Sequence, residues 1–510
     1  MKNYLLVLLL SLPLTVLGNT NYFCQNALDD IPIQQGGRVM PLYVHAKESI
    51  KFLTGKSSVG KVSAVEAYCL LSIKGFGLPQ SFEIQAPIEH EKLKDFLKLP
   101  DRHPKISFDQ LVLKKRDLIR QYQMEKEESS YKKALNKALN RVKIYQDIAA
   151  GTNWTLAKPI DNKVSWQPFV NFFDAQAVMA QVGAARSEYL YREIVKSRDY
   201  YAPINGTFLL ELKYAKAHLI GWALLFTLLA LGAKVLFKNP KISLGFTIIN
   251  IVILTVFIIL RVLISGRAPV TNMYETVMFS GYGALLIGMI VGHFKKEFIF
   301  VMIALAYNVL TLMMLIFADG MLNAHISPLV PVLRDNFWLS THVSCIIISY
   351  GALALSWILA NGIIIRKTFF SISKQDENYY SELIYTCLKI GTTLLAAGII
   401  LGGVWADYSW GRFWGWDPKE TWSLIVLCIY IAILHGRYTS WIPNKRFIQL
   451  VAAAFMSVMM AWFGVNYILA TGLHSYGFSQ GGAVFLFSFF AIQIAIIFVG
   501  SNFGKKKKIG

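Results

Sequence analysis

The sequence predicts an all-α polytopic membrane protein of about nine spans, preceded by an N-terminal extracytoplasmic domain of mixed or helical fold. Three observations carry this prediction. The chain is 55% apolar and only 16% charged, where ordinary soluble domains carry about 25% charged residues. Apolar runs of bilayer-crossing length, about 20 residues each, recur from residue 217 to residue 500. Most of the basic residues between those runs fall on one face if the spans alternate.

Taken in order, residues 1–18 open with Met1-Lys2 and a leucine-rich stretch. They fit either a secretory signal or an N-terminal anchor, because no clean small-x-small cleavage site decides between the two. Residues 19–215 form a polar outer domain, with a charged helical stretch near 107–147 that reads as solvated. A linking span over 216–237 leads to the membrane domain, 243–500, and a basic tail, 501–510. Apolar runs within that domain lie near 243–263, 273–293, 297–317, 338–365, 386–404, 421–437, 448–468 and 482–500.

Lys234, Lys238 and Lys241, then Lys295 and Lys296, Arg366 and Lys367, Arg437 with Lys445 and Arg446, and Lys505 to Lys508 occupy one face. The positive-inside rule makes that face cytoplasmic. The 19–215 domain, the tryptophan-rich stretch 405–422, His342 and His474 then lie on the periplasmic side. Much of the net charge of +20 is therefore topological, and no nucleic-acid partner is needed to explain it.

The five cysteines, Cys24, Cys69, Cys345, Cys387 and Cys428, include no C-x-x-C pair. That excludes a thioredoxin-like couple and a C-x-x-C-H attachment site. Cys24 and Cys69 share the oxidising outer domain, where a disulfide is open to them, although nothing in the sequence fixes their separation.

The most informative stretch is Trp405–Trp422, in which five tryptophans, a phenylalanine and a tyrosine crowd around two glycines and an Asp417-Pro418 turn. An aromatic-walled apolar surface with a few basic groups suits a flat, apolar ligand bearing carboxylates, and haem is the candidate. The competing reading is an interfacial aromatic belt on a connecting loop.

Trp410-Gly-Arg-Phe-Trp-Gly-Trp-Asp-Pro-Lys-Glu-Thr-Trp422 is similar to the tryptophan-rich WWD signature of haem-handling proteins in cytochrome c assembly. The chain most resembles the CcsA/ResC (CcsBA-like) branch of System II. Further blocks carry the likeness: Ala268–Thr276, Val330–Val343, Leu434-His435-Gly-Arg437, and Phe463-Gly-Val-Asn466 leading to Gly472–Gly477. They follow the family's order from about residue 243 to 500. The short stretch Ile31–Leu42 resembles the opening of the periplasmic domain in fused ResB–ResC synthases. It would make 19–215 a ResB-like tail, with the earlier ResB-like spans missing or in a separate chain.

The resemblance implies a non-covalent haem b with His342 and His474 as its two external axial ligands. Its pocket would be built from Trp405, Trp410, Arg412, Trp414, Trp416, Asp417 and Trp422. For the propionates, Arg412 is favoured, with Lys419, Arg267 and Arg334 nearby. Asp417, before a proline, reads chiefly as a turn-setting residue, and Glu275 is expected to bond another polar group beneath the pocket.

His435 lies at membrane depth, where an ionisable group is a functional candidate. The resemblance implies an intramembrane haem ligand there. Its partner would come from another subunit, because His218 begins its span on the far side, about 20–30 Å away, and His293 reads as interfacial. His45, His90, His103 and His325 read as ordinary polar residues, and no side chain reads as a dedicated catalytic base.

The implied function is binding haem at the outer membrane face and presenting it for thioether attachment to the C-x-x-C-H segment of apocytochrome c. The protein would belong to a cytochrome c synthase (haem lyase-type) complex in the bacterial cytoplasmic (inner) membrane. Its partners would be apocytochrome c, a ResB/CcsB-like membrane subunit and thiol-reducing pathway proteins. The alternative is a haem exporter or haem-delivery protein without ligation.

Overall fold

A computed structural model describes residues 22–76, 82–100, 102, 104–126, 129–318, 320–328, 335–469 and 482–502. The chain divides into two compact units after Lys216.

The C-terminal unit is a bundle of long apolar helices: α1 (Leu219–Val235), α2 (Pro240–Ser265), α3 (Met273–Lys295), α4 (Ile299–Phe317), α5 (Asn336–Phe369), α6 (Lys374–Trp410), α7 (Pro418–Tyr438), α8 (Asn444–Leu469) and α9 (Gly482–Asn502). Among the described residues, eight are long and apolar enough to cross a membrane, or nine if α1 is joined to the preceding helix Thr207–Lys216. The polytopic helical fold read from the apolar runs is therefore the one observed.

Local chemistry sets the helix ends. The Asn239 side chain accepts from the Lys241 and Ile242 amides ahead of Pro240, and Gly266, at φ +69°, closes α2. Asn272 caps α3 through the Glu275 amide, and Ser373 caps α6 through the Asp376 amide. Two segments depart from α geometry. Leu339–Val343 within α5 and Met460–Leu469 at the end of α8 are π-helical.

Polar contacts hold one end of the bundle and its middle. At one end, Tyr379 donates to Glu297 (2.7 Å), Lys367 pairs with Glu377 (2.6 Å) and Arg437 with Glu382 (2.6 Å). This is the basic end. Between α1, α2 and α4, Thr227, Asn250 and Asn308 form a buried set of hydrogen bonds of 2.9 Å. Such side chains tie helices together where no water competes.

The N-terminal unit is mixed, as expected: helices with four two-stranded antiparallel ribbons, the longest pairing Thr155–Ile160 with Lys163–Pro168. Its core gathers Phe23, Ile50, Tyr68, Leu111, Val142, Trp154 and Phe169. Cys24 and Cys69 are joined by a disulfide and both are buried. The charged stretch near 107–147 is less solvated than its composition suggests. Helix Ser130–Ala149 buries Leu135, Ala138, Val142, Tyr145 and Ile148 on one face. Its Arg141 is buried too, donating to the Phe52 and Pro87 carbonyls.

Candidate functional site

A cavity of about 1170 Å3, counting its open mouth, lies among α3, α5, α6, α7 and α8, away from the basic end. His342 enters it from the π-helical turn of α5. Its Nδ1 lies 2.8 Å from the Gly398 carbonyl oxygen on α6. A carbonyl can only accept, so Nδ1 carries the proton and, in the neutral imidazole, Nε2 carries the lone pair.

Close approach of α6 makes this possible. A Cβ on Gly402 would stand 2.5 Å from His342 Cε1, and one on Gly403 2.5 Å from the Phe413 ring. Trp405 packs tilted against the imidazole at 5.9 Å, and Trp410 stacks on Trp405 at 6.4 Å. Behind them Val270, Leu339 and Trp405 form a small apolar core.

Only residues 411–417 of the tryptophan-rich stretch are non-helical. Trp405 and Trp410 ride on the last turns of α6, and Trp422 on the second turn of α7. Asp417 caps α7 in a capping box with Glu420, whose carboxylate also accepts from the Gly415 amide at 2.7 Å. That fixes the loop and gives Asp417 the turn-setting role its place before Pro418 suggested.

The predicted pocket residues separate in space. Trp405, Trp410 and Trp414 line the cavity, together with Lys419. Arg412, Trp416, Asp417 and Trp422 do not. Trp416 is 70% exposed, in the left-handed region at φ +57°. The guanidinium of Arg412 lies against Gly415. Arg267 is withdrawn from the propionate candidates, since it is buried and bonded to Glu275 (3.0 Å) and the Ser327 carbonyl. Arg261 holds the other oxygen of Glu275 at 2.6 Å, and Thr271 donates twice to that carboxylate. His474 and Arg334 lie outside the described residues.

Other lining residues carried no functional assignment in the sequence. Tyr350 and Trp462 pack ring to ring at 5.6 Å, and the Trp462 indole donates to Thr276 (3.1 Å). Asn466 donates to the Trp462 carbonyl (2.8 Å) and to Met273 Sδ (2.9 Å). Of these, only Asn466 falls in a block that carried the family likeness, 463–466, which converges here with the 268–276, 330–343 and 410–422 blocks. His435 lies elsewhere, exposed in the last turn of α7, with its ring edge-on to Trp441 at 6.3 Å.

Fold and site together define a polytopic helical membrane protein with an aromatic-walled cavity into which one imidazole is fixed. Residues 270–474 match the family described as Cytochrome C assembly protein. The cytochrome c biogenesis protein CcsA of Guillardia theta is 33% identical over 284 residues, 50% of this chain and 93% of that protein. CcsA of Prochlorococcus marinus (strain NATL1A) is 35% identical over 260 residues, 44% of this chain and 81% of that protein. Protein NrfI of Wolinella succinogenes is 36% identical over 231 residues, and there the chain spans 24% of its relative's length. The chain belongs to the CcsA-like family of System II cytochrome c biogenesis proteins.

Proposed function

We propose that the cavity takes haem b, held non-covalently as substrate, and presents it for attachment to apocytochrome c. The observation that carries this reading is the His342 imidazole, fixed by the Gly398 carbonyl so that Nε2 can ligate iron. The indoles of Trp405, Trp410 and Trp414 suit the faces of a macrocycle. His474 is the second axial ligand in this reading. His435 serves a separate intramembrane haem only when a ResB/CcsB-like subunit brings another ligand.

In the attachment step each cysteine thiol of the C-x-x-C-H segment adds across one haem vinyl group. The S–H bond breaks, a C–S bond forms, and the hydrogen ends on the terminal vinyl carbon. The addition consumes no oxidant. It needs reduced thiols, which thiol-reducing pathway proteins would supply. The chain's own residues bind and orient, while the porphyrin provides the reacting carbons. The basic end faces the cytoplasm of a bacterial inner membrane and the cavity faces the periplasm. The positive-inside rule supports this.

Co-expression with a ResB/CcsB-like subunit and a C-x-x-C-H reporter tests the proposal. Covalent haem on the reporter that depends on His342 is the expected result. Haem appearing outside the cell membrane with no covalent product would favour a haem exporter or delivery protein instead.

A further inference from the structure

Among the described residues, three polar atoms on cavity-lining side chains are buried without a hydrogen-bond partner: the indole N–H groups of Trp405 and Trp414 and the side-chain carbonyl of Asn466. Trp405 is only 4% exposed. Buried donors in folded proteins are almost always paired, so two unpaired ones in a single cavity call for an explanation. Neighbouring donors are already engaged. Trp462 donates to Thr276, and His342 Nδ1 to Gly398. Arg412, the cation that the sequence favoured, is not in the lining.

We propose that the indole N–H groups of Trp405 and Trp414 donate hydrogen bonds to the carboxylates of the ligand, so that the site selects a carboxylate-bearing macrocycle over a neutral one. This rests on the reading that the cavity takes haem. An indole nitrogen is a donor only, so its partner must be an acceptor. Among acceptors a carboxylate gives the stronger, charge-assisted bond. A neutral donor also costs less than an unpaired arginine to keep buried before the ligand arrives. Each of these tryptophans thus serves twice, through its ring face as wall and through its edge as recognition group. Lys419, also in the lining, adds positive charge to the same cavity.

The test titrates the detergent-solubilised full chain with iron protoporphyrin IX and with its dimethyl ester, whose propionates are capped and neutral. Wild type is compared with Trp405→Phe and Trp414→Phe, which keep a ring and remove the donor. Each variant should weaken the diacid about tenfold or more beyond whatever loss of wall surface does to the diester. Micelle partitioning cancels, because each variant is compared with wild type for the same ligand.

A second readout needs no variant. The N–H-sensitive indole band in ultraviolet resonance Raman spectra of the wild type should shift with the diacid and stay in place with the diester. An unshifted band, or equal weakening of both ligands by variants that remain folded, overturns the proposal and leaves the indoles as wall only. Wild type that binds neither macrocycle would instead remove the haem reading itself.

Discussion

Gly402→Ala tests whether the close approach of α6 is what positions His342. The new Cβ would stand 2.5 Å from His342 Cε1 and 2.9 Å from Nδ1. Carbon contacts settle near 3.5–4.0 Å, so the ring must retreat by roughly 1 Å. That retreat draws Nδ1 away from the Gly398 carbonyl, now 2.8 Å distant. The helix itself gains, since alanine is about 1 kcal/mol better than glycine in a helix interior. Overpacking at a well-packed site costs about 1–3 kcal/mol. Expressed at the ligand, this is a loss of about five- to 150-fold in haem affinity. The assay is a haem titration of purified protein, read by absorbance, with thermal unfolding as the check on the fold. Gly362→Ala is the control, because a Cβ there meets nothing within 4 Å. Added imidazole should partly restore a six-coordinate spectrum in the Gly402 variant. Wild-type affinity and an unchanged low-spin spectrum would refute the reasoning.

Trp405→Ala should strip haem from the purified protein, since deleting a fully packed aromatic costs about 3–5 kcal/mol. Trp416→Ala, at a 70% exposed position, should keep near-normal haem content, and equal losses would break the division of the tryptophans into wall and surface. Glu275→Gln removes the carboxylate charge that Arg261 and Arg267 share, and breaking a buried pair typically costs about 3–5 kcal/mol. The thermal midpoint of the bundle should fall, and an unchanged midpoint would show the ionic cluster to be dispensable. His435→Ala should leave haem on the isolated chain unchanged yet lower cytochrome c maturation when a ResB/CcsB-like subunit is present. Haem loss from the isolated chain would place the second ligand within this chain.

The spans were legible because an apolar run of about 20 residues is too long for a strand and too apolar for a surface helix. Their ends were less so. The apolar run 386–404 sits inside α6, which extends over Lys374–Trp410 because Ser373 caps a polar first turn. The tryptophans show what composition cannot resolve. All five look alike in sequence, but helix phase turns Trp405 inward while a left-handed backbone turns Trp416 out. Loop arginines were similarly indistinguishable until Glu275 and Arg261 came together with Arg267. The burial of helix Ser130–Ala149 was readable in principle, because Leu135, Ala138, Val142 and Tyr145 recur at helical spacing. Its lysines hid that stripe.

The two π-helical segments explain why the site is built from four distant blocks rather than one motif. A π turn has poorer backbone geometry than an α turn and is uncommon unless other interactions favour it. Here both wide turns are held by side-chain hydrogen bonds. His342, in the first, reaches the Gly398 carbonyl on α6. In the second, Asn466 donates to the Trp462 carbonyl, and Trp462 reaches Thr276 on α3. The same bonds that support the unusual backbone also orient the imidazole and the indole toward the cavity. Deleting one residue from either segment would let a wide turn close to an α turn, keeping the flanking helix in phase and re-aiming only the side chains within the turn. The bundle could still form on its apolar faces, but His342 or Asn466 would leave the cavity. Haem affinity should therefore respond to such a deletion well before helix content does.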